Sequence, residues 1–426
     1  MEYLRHIGYM KPLKILSFSS LFPNSLHPWH GIFLENRLAS MAEIENVEIR
    51  VVAPVPYFPW SGGVFGKYSL FARVPSSGIR RGLRVTYPRY FSIPKFGMNI
   101  APWLLASGLV AHLKSIKQSG FDFDVIDSYY LYPDGVAAAA LGAIFKKPVI
   151  LTAFGSDVSL LPQYLLPRKS ILWAARRSRQ ITSVCRALKD GLTAIGVLPD
   201  HIHVIPHGVD LERFRPPADR QKLRARLGLA RPTLLSVGHL IDRKGHDLAI
   251  RAMPLLPQHT LVIVGDGPAE ASLKHLVRQL RLEDRVRFTG GMPQKELSAW
   301  LGAADVLVNC SDREGIANVL LEAMACGTPA AATPVWGSPE VISVPEAGVL
   351  LRDRSSPALA EAVLRLQARP PDRAMTRRHA ERFEWADTAR EHMQAIRRAV
   401  GSGGHQFRGL PVGRSPLSSD PRGGQA

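Results

Sequence analysis

The sequence predicts an α/β protein built from two doubly wound parallel sheets that face each other across a cleft. Three observations predict this class. The chain has 426 residues, enough for two large domains. Short segments rich in Val, Ile and Leu alternate with longer helical segments, which is typical of parallel sheets covered by helices. The alternation is interrupted once, near residues 210–231, and then starts again.

The first series of strand-like segments defines an N-terminal domain over residues 1–211. Its predicted strands are residues 14–19, 47–53, 125–127, 148–152, 180–184 and 203–206. The domain ends there because the sequence Phe-Arg-Pro-Pro-Ala at 214–218 interrupts regular structure, and a short charged helix then leads into the next strand.

The second series defines a C-terminal domain over residues 212–381. Its predicted strands are residues 233–237, 260–264, 286–288, 306–308 and 329–332. Residues 357–400 read as mainly helical, with a break at Pro370-Pro371. Residues 401–426 are rich in Gly, Ser, Pro and Arg, and we expect this tail to be disordered.

Cysteine usage and charge limit the class of protein. The three cysteines contain no C-x-x-C pair, which argues against a disulfide framework or a zinc site and fits a reducing cytoplasm. The net charge of +18 has three interpretations: a solvated surface, attraction to an anionic membrane surface or a phosphate-bearing acceptor, and nucleic acid binding. We favour the second, because no helix-turn-helix signature or basic run with interleaved aromatics supports nucleic acid.

No segment is long and apolar enough to predict a transmembrane helix, and the N-terminus does not resemble a signal peptide. The most apolar stretch, residues 100–113, predicts a core helix. Its alternative is an amphipathic helix lying on a membrane. We therefore expect a cytoplasmic protein, with peripheral association at the inner face of the membrane as the second possibility.

The most informative motif is a pair of glutamates, Glu314 in a Gly-containing turn and Glu322 within an apolar helix. A carboxylate in apolar surroundings needs hydrogen-bond donors, and ligand hydroxyls supply them. Eight helical positions span about 12 Å, roughly the distance from sugar to ribose in a nucleotide diphosphate sugar. The free N–H groups near Asn318, Val319 and Leu320 would then face the diphosphate. Glu322 as a plain surface charge is the alternative, which its apolar neighbours disfavour.

A second candidate is the loop from Gly238 to Asp247, between a predicted strand and a helix. Glycine permits close approach of the backbone to a phosphate, and Arg243 with Lys244 would neutralise a leaving diphosphate. The alternative is a solvated loop with two surface cations. The Gly265-Asp-Gly turn reads as a tight turn, and the absence of G-x-G-x-x-G argues against a nicotinamide dehydrogenase.

Three further positions follow predicted strands of the first domain. Asp157 is expected either to hydrogen-bond a substrate hydroxyl or to cap a turn. Gly31 stands where a helix N-terminus would face the cleft, and its alternative is a helix start without a ligand. His207-Gly208 is predicted to be a structural turn at the crossing between the domains.

Together these motifs resemble the retaining glycosyltransferases of family 4, which have the GT-B fold of two Rossmann-like domains. The resemblance covers residues 13–400 and is most specific at Glu314, Glu322 and the flanking Ala-Cys-Gly-Thr-Pro. It implies an acceptor-side domain at 1–211, a donor-binding domain at 212–381, and a helix at 382–400 that crosses back to the first domain.

The resemblance also implies roles for residues. Catalytic roles fall to Glu314, Asp157 and Lys244, and no metal or other cofactor is expected. The donor-binding residues would be Gly31, Gly238, His239, Arg243, Lys244, Gly315, Asn318, Val319, Leu320 and Glu322. Two departures are His239, where the family commonly has Arg, and Phe154, where many members have a histidine that contacts the donor sugar.

The predicted activity is retaining transfer of a hexosyl group from a UDP- or GDP-sugar to a glycan or lipid-linked glycan acceptor, in synthesis of an exopolysaccharide or cell-surface glycan. Two alternatives stay open: an epimerase or hydrolase of nucleotide sugars on the same fold, and a non-catalytic nucleotide-sugar-binding subunit. No nucleic acid partner is expected.

Overall fold

A computed structural model describes residues 11–44, 46–57, 71–92 and 97–401 of the chain. It confirms the predicted class, because two Rossmann-like α/β units follow each other along the sequence. Apart from Gly401, the tail predicted at 401–426 lies outside the described residues.

The N-terminal domain is built on an eight-stranded sheet with the order β10-β9-β8-β7-β1-β2-β5-β4. All neighbours are parallel except β4 and β5, which are antiparallel, while β3 and β6 form a separate parallel pair. The strands are β1 (Leu13–Phe18), β2 (Val47–Val52), β3 (Val55–Tyr57), β4 (Ser77–Arg80), β5 (Leu83–Thr86), β6 (Arg89–Phe91), β7 (Val125–Tyr129), β8 (Val149–Ala153), β9 (Gln180–Ser183) and β10 (Ile202–Val204).

The C-terminal domain has a six-stranded, fully parallel sheet with the order β13-β12-β11-β14-β15-β16. Its strands are β11 (Thr233–Val237), β12 (Thr260–Val264), β13 (Val286–Gly290), β14 (Val306–Asn309), β15 (Ala330–Ala332) and β16 (Gly348–Leu350). Central strands such as β8 and β14 are buried along their whole length, which explains why they read as continuous apolar runs.

Helices cover both sheets. They are α1 (Ile32–Ile44), α2 (Ala101–Gln118), α3 (Val136–Phe145), α4 (Ser156–Ser159), α5 (Leu165–Ala175), α6 (Arg186–Ala194), α7 (Arg220–Leu227), α8 (His246–Ala252), α9 (Glu270–Gln279), α10 (Gln294–Ala303), α11 (Asn318–Ala325), α12 (Ser338–Val341), α13 (Ser356–Ala368), α14 (Arg373–Ala380) and α15 (Trp385–Gly401). No helix among the described residues is long and apolar enough to cross a bilayer.

Five strands were not predicted from the sequence: β3, β4, β5, β6 and β16. Each has three or four residues, and β4 is largely exposed, so its place in the sheet depends on backbone pairing with β5. Because such strands have little apolar periodicity, their sequences carry a weak signal. The antiparallel pair β4–β5 is an edge addition to the parallel sheet that the sequence predicted for the first domain.

The last helix, α15, packs on the N-terminal domain against α1. Its His392 Nε2 lies 3.0 Å from Asp127 Oδ1 in the middle of the core strand β7, and both side chains are fully buried. The crossing is tight, because a Cβ on Gly208 would lie 2.6 Å from the Cα of Trp385. The last described helix therefore packs on the domain that contains the first described strand.

The topology defines one switch point in each domain. Strand β1 lies between β2 and β7, and β11 lies between β12 and β14, so chain direction along the sheet reverses at these places. Ligands of open α/β sheets bind beyond the carboxyl ends of strands at such points. The topology therefore predicts that a ligand contacts the loops that follow β1, β7, β11 and β14.

Candidate active site

The loops after β11 and β14 bring three charged side chains together at the C-terminal switch point. Lys244 Nζ forms an ion pair and hydrogen bond with Glu314 Oε1. Arg243 Nη1 lies 3.6 Å from Glu314 Oε2 and donates to the carbonyl of Arg313 at 3.0 Å. Ser311 Oγ also donates to Glu314, at 2.9 Å. Two cations and one carboxylate therefore form one cluster, although Lys244 and Glu314 are 70 residues apart in the sequence.

Glycines create the space for this cluster. Gly238 has φ +152°, and its face lies against the aliphatic stem of Lys244, where a Cβ would meet Cδ at 3.5 Å. Gly265, at the end of β12, has φ +144°, and a Cβ there would lie 1.9 Å from the carbonyl oxygen of Gly238. The tight turn predicted at Gly265 thus supports the neighbouring loop through backbone packing.

Helix α11 begins at Asn318, as expected for the segment between the paired glutamates. Its N-cap residue Ala317 provides no side-chain cap. The prediction for Leu320 needs correction, since its N–H donates to the carbonyl of Ala317 at 2.9 Å. The N–H groups of Asn318 and Val319 are those that an anion would meet at this helix end.

Glu322 lies one turn further along α11, in a small cavity that Asp210, Gln294 and Asn318 also line. Gln294 Nε2 donates to Glu322 Oε1 at 3.3 Å. Burial raises the pKa of Glu322 from its ordinary value of 4.5 to about 7, opposed by the Gln294 hydrogen bond and by Arg213. Asn318 Oδ1 is buried and has no hydrogen-bond partner among the described residues. This cavity therefore offers a carboxylate and an amide to hydroxyl groups.

His239 is the predicted donor contact with the most open position. Its side chain is 56% exposed, and Nδ1 lies 3.7 Å from Asp266 Oδ1. Burial lowers the pKa of His30 of the other domain, and the charges of His27 and His239 lower it further. His239 is therefore near the N-terminal side of the cleft.

A second cavity, of about 160 Å³, lies between the domains. The C-terminal domain contributes Arg243, Arg313, Glu314 and Gly315 to it, and the N-terminal domain contributes Leu21, His30, Gly31, Phe33, Tyr130, Phe154, Gly155, Ser156 and Ser159. Its volume is below the range of about 300–1,000 Å³ usual for whole ligands. Together with the cavity at Glu322, it forms a divided cleft with a glutamate in each part.

Backbone contact between glycines fixes the floor of this cleft. A Cβ on Gly315 would lie 1.8 Å from the carbonyl oxygen of Phe154, and one on Gly155 would lie 3.2 Å from the Gly315 nitrogen. Gly31 also has close packing, with φ +73° and only 1.5 Å between a hypothetical Cβ and the Leu21 carbonyl oxygen. These positions admit no side chain without displacement of the backbone.

Glu340 of α12 provides a further contact between the domains. Its Oε1 accepts hydrogen bonds from the N–H groups of Arg186, at 2.7 Å, and Ala187, at 3.3 Å. These groups are at the start of α6, where Cys185 gives no side-chain cap. A carboxylate of one domain therefore caps a helix of the other, which favours the observed spacing of the cleft.

The structure gives Asp157 a different role from the predicted contact with a substrate hydroxyl. Its side chain is fully buried, and its oxygens accept N–H groups of Gly155 at 2.7 Å, Leu131 at 3.0 Å and Phe154 at 3.2 Å. Burial raises its pKa, and these hydrogen bonds oppose the rise. The turn-capping alternative is not what the structure shows either, because these N–H groups precede Asp157 in the chain and the N-cap position of α4 is Gly155, which gives no side-chain cap. Asp157 instead fixes the loop whose backbone touches Gly315.

Phe154, which lines the central cavity, is also part of a stack of rings. It is stacked with Tyr129 at 5.8 Å and with His207 at 5.4 Å between ring centroids, and Phe33 packs edge-on at 5.0 Å. His207 is buried, and desolvation lowers its pKa well below the usual value. The structural role predicted for His207-Gly208 is what the structure shows.

Tyr130 and Ser156 line the central cavity and were not identified from the sequence. The Tyr130 hydroxyl and Ser156 Oγ are 2.6 Å apart, and Tyr130 has φ +78°, which costs energy for a residue with a Cβ. Burial, with repulsion from Asp157, raises the pKa of Tyr130 to about 12, so it remains a neutral hydroxyl. The available signal was position, since Tyr130 directly follows β7.

Solved structures with the same arrangement define the class of this fold. A sucrose-phosphate synthase from Thermosynechococcus elongatus superimposes with a TM-score of 0.74 at 21% identity, covering 92% of this chain and all of that one. HepE of Anabaena, solved in complex with UDP and glucose, has a TM-score of 0.69 at 20% identity, covering 91% and 99%. The chain thus has the GT-B fold of two-domain glycosyltransferases.

Sequence comparison places the chain within that class. Residues 38–213 match the model of Glycosyltransferase Family 4, and residues 219–383 match that of Glycosyl transferases group 1. TuaC of Bacillus subtilis (strain 168), named as a glycosyltransferase of teichuronic acid biosynthesis, is 30% identical over 365 residues, which are 83% of this chain and 89% of TuaC. A Mycolicibacterium smegmatis protein named GDP-mannose-dependent alpha-(1-6)-phosphatidylinositol monomannoside mannosyltransferase is 38% identical over 257 residues, 55% of this chain and 66% of that protein. The chain therefore belongs to the glycosyltransferase family that these two models and TuaC represent, and it is a glycosyltransferase.

Proposed function

We propose that this glycosyltransferase moves a hexosyl group from a UDP- or GDP-sugar to a glycan or lipid-linked glycan acceptor, with retention of the anomeric configuration. The observation that carries the proposal is the convergence of Lys244 and Arg243 on Glu314 at the C-terminal switch point. Departure of a nucleoside diphosphate leaves negative charge on a phosphate oxygen. Two cations fixed at that place stabilise it without a metal ion.

The two parts of the cleft suggest how the donor lies. Glu322 and Asn318, in the smaller cavity, would accept and donate hydrogen bonds to the ribose hydroxyls. The diphosphate would meet the start of α11 and the side chains of Arg243 and Lys244, and the sugar would enter the central cavity beside Glu314. HepE of Anabaena, which has the same fold, is known in complex with UDP.

The carboxylates near the sugar bear on which retaining mechanism would apply. A double displacement needs a carboxylate free to act as nucleophile. Among the described residues that line the central cavity the one carboxylate is Glu314, and it is paired with Lys244. Asp157 is bonded to three backbone N–H groups beneath that cavity. Attack by the acceptor on the face from which the diphosphate leaves needs no such nucleophile.

The acceptor would approach from the N-terminal domain. Tyr130 and Ser156 present hydroxyl groups to the central cavity opposite Arg243 and Glu314, where an acceptor hydroxyl needs positioning. The curated relatives TuaC and the Mycolicibacterium mannosyltransferase are named for a cell-wall polymer and a phosphatidylinositol glycoside. We therefore propose a role in cell-surface glycan synthesis, with the protein in the cytoplasm at the inner face of the membrane.

The test is to incubate the purified protein with a panel of UDP- and GDP-hexoses, with and without glycan and lipid-linked acceptors. Released nucleoside diphosphate and the configuration of the product are then measured. We expect release that depends on one donor and one acceptor class, with the anomeric configuration of the donor kept. Release without an acceptor would identify a hydrolase instead, an inverted product would exclude retention, and donor binding without transfer would indicate a binding subunit.

A further inference from the structure

Large hydrophobic side chains that stay exposed are distributed unevenly between the domains. Thirteen of the sixteen that the described residues contain lie before residue 211. Two short runs stand out because their members are 40–66% exposed, and we call them together the rim surface: Met98, Ile100, Trp103, Tyr164, Leu165 and Leu166. Clustered exposed apolar side chains mark interaction sites in soluble proteins.

The two runs lie at the same edge of the N-terminal domain. Helices α2 and α5 each precede a strand of the sheet, so their first residues lie at the carboxyl edge, where the cleft is. Trp103 of α2 packs edge-on against Trp173 of α5, with 5.1 Å between ring centroids. The Tyr132 hydroxyl, in the loop between β7 and α3, donates to the carbonyl of Met98. Trp173 follows Leu166 by seven positions in α5, so both lie on one face of that helix, and this face connects the two runs.

The rim surface adjoins the central cavity. Ser159 lines that cavity, and Gln163 Nε2 donates to its carbonyl at 3.1 Å, immediately before Tyr164. The sequence predicted a core helix for residues 100–113. Helix α2 buries Leu105 and Leu109, as a core helix does, while Trp103 near its start remains 44% exposed.

The two sequence segments that supply this surface contain basic residues and no acidic ones. Residues 49–121 contain ten Lys and Arg and no Asp or Glu, and residues 158–189 contain seven Lys and Arg and no Asp or Glu. Arg168 and Lys169 are exposed on α5 next to Leu165 and Leu166. The guanidinium of Arg177 lies 4.3 Å from the ring centroid of Trp173. A surface that contacts only water or neutral glycan would not favour basic over acidic residues in this way.

We propose that the rim surface docks on a bilayer that contains anionic lipid, with its apolar side chains at the level of the headgroups and the cleft opening toward the membrane. Basic side chains attract anionic lipid, and aromatic and aliphatic side chains insert between the headgroups. This placement deepens the proposed function, on which it rests for the chemistry of the acceptor: a lipid-linked acceptor reaches the central cavity without leaving the bilayer.

The experiment is flotation of the whole chain with vesicles of phosphatidylcholine, either alone or mixed with anionic phosphatidylglycerol. Two double variants probe the surface, Leu165→Ser with Leu166→Ser and Arg168→Glu with Lys169→Glu. Matched controls on exposed positions of the C-terminal domain are Leu255→Ser with Leu364→Ser and Arg365→Glu with Arg369→Glu.

We expect the wild type and both controls to float with the anionic vesicles, and each rim variant to bind about tenfold more weakly or worse. Brominated lipid should quench the fluorescence of the wild type more than that of Trp103→Phe. Circular dichroism verifies that each variant is folded. Nucleoside diphosphate release with a soluble acceptor should be the same in all of them, because none of the changed residues lines the cleft.

Three results would overturn the inference. Equal losses in the Arg365/Arg369 control would indicate net charge alone, and undiminished flotation of the Leu165/Leu166 variant would exclude insertion. Tighter and more salt-resistant binding to short duplex DNA than to vesicles would favour nucleic acid as the partner. If the protein floats with vesicles but transfers no sugar, the proposed function is rejected and membrane docking stands. If it transfers sugar but does not float, membrane docking is rejected and the proposed function stands.

Discussion

The two halves of the cleft use opposite physical means to form one site. The C-terminal half is a cluster of charges, in which Arg243 and Lys244 surround Glu314. The N-terminal half is a wall of rings and hydroxyl groups, including Phe33, Phe154 and the Tyr130–Ser156 pair. Its one nearby carboxylate, Asp157, is buried and bonded to the backbone.

This contrast shows which half performs which task. Charged groups act on groups that change their charge, so the C-terminal half suits a departing diphosphate. Rings and neutral hydroxyls hold sugars by shape and hydrogen bonds and change little in energy during the reaction. The proposed function therefore assigns donor activation to one domain and acceptor positioning to the other, and it predicts that variants on the two sides fail in different ways.

The largest effect is expected in the charged half. Lys244→Ala removes the cation closest to Glu314, so transition-state charge loses a fixed partner and kcat should fall about 10²- to 10³-fold. The measurement is nucleoside diphosphate release at saturating donor. Lys274→Ala removes another lysine that is paired with a glutamate, on α9 and far from the switch point, and should leave the rate unchanged. A tenfold smaller loss in Lys244→Ala would assign the diphosphate to Arg243.

The second prediction concerns the N-terminal half and the role of Asp157. Asp157→Ala leaves the N–H groups of Leu131, Phe154 and Gly155 without their acceptor in a buried turn, at about 1–3 kcal/mol for each unsatisfied group. The free energy of unfolding should fall by about 3 kcal/mol or more in denaturant titration. Asp190→Ala, an exposed aspartate of the same domain, is the control. Full stability combined with lost activity would restore Asp157 as a substrate contact.

The smallest effect is expected at Glu322, at the ribose end. Glu322→Gln should weaken binding of UDP or GDP about tenfold, because hydrogen bonds to a charged acceptor are stronger than those to a neutral one. Since the pKa of Glu322 is raised to about 7, nucleotide affinity of the wild type should increase as pH rises toward 7.5, while that of the Gln variant stays flat. Glu296→Gln, an exposed glutamate on α10, is the control.

The raised pKa of Glu322 also predicts how stability depends on pH, with a trend opposite to that of nucleotide affinity. Folding raises its pKa from 4.5 to about 7, so the folded state binds the proton more tightly than the unfolded chain. This stabilisation is present below pH 4.5 and is lost as pH rises through 7. Relative to Glu322→Gln, the wild type should become less stable over this range in the absence of nucleotide. A constant difference would mean that Glu322 is solvated.

The site was predictable from the sequence to different extents in its two halves. Glu314, Lys244 and Arg243 directly follow strands of a parallel sheet, and residues in that position meet at one edge, so their proximity was accessible to pattern reasoning. The bonds of Asp157 depend on the conformation of a turn, and the strained backbone of Tyr130 depends on what surrounds β7. Neither has a periodicity or spacing that a sequence displays.

The sequence by itself determined the two α/β domains, the crossing helix and the pair of glutamates, because apolar strands and glycine turns are encoded locally. The tertiary structure decided which polar groups meet. It placed Asp157 under backbone N–H groups, brought Gly155 against Gly315, and packed Trp103 against Trp173. The physical reason is that hydrogen bonds and contacts act over a few ångströms between residues far apart in the chain, and their distances exist only once the chain has folded.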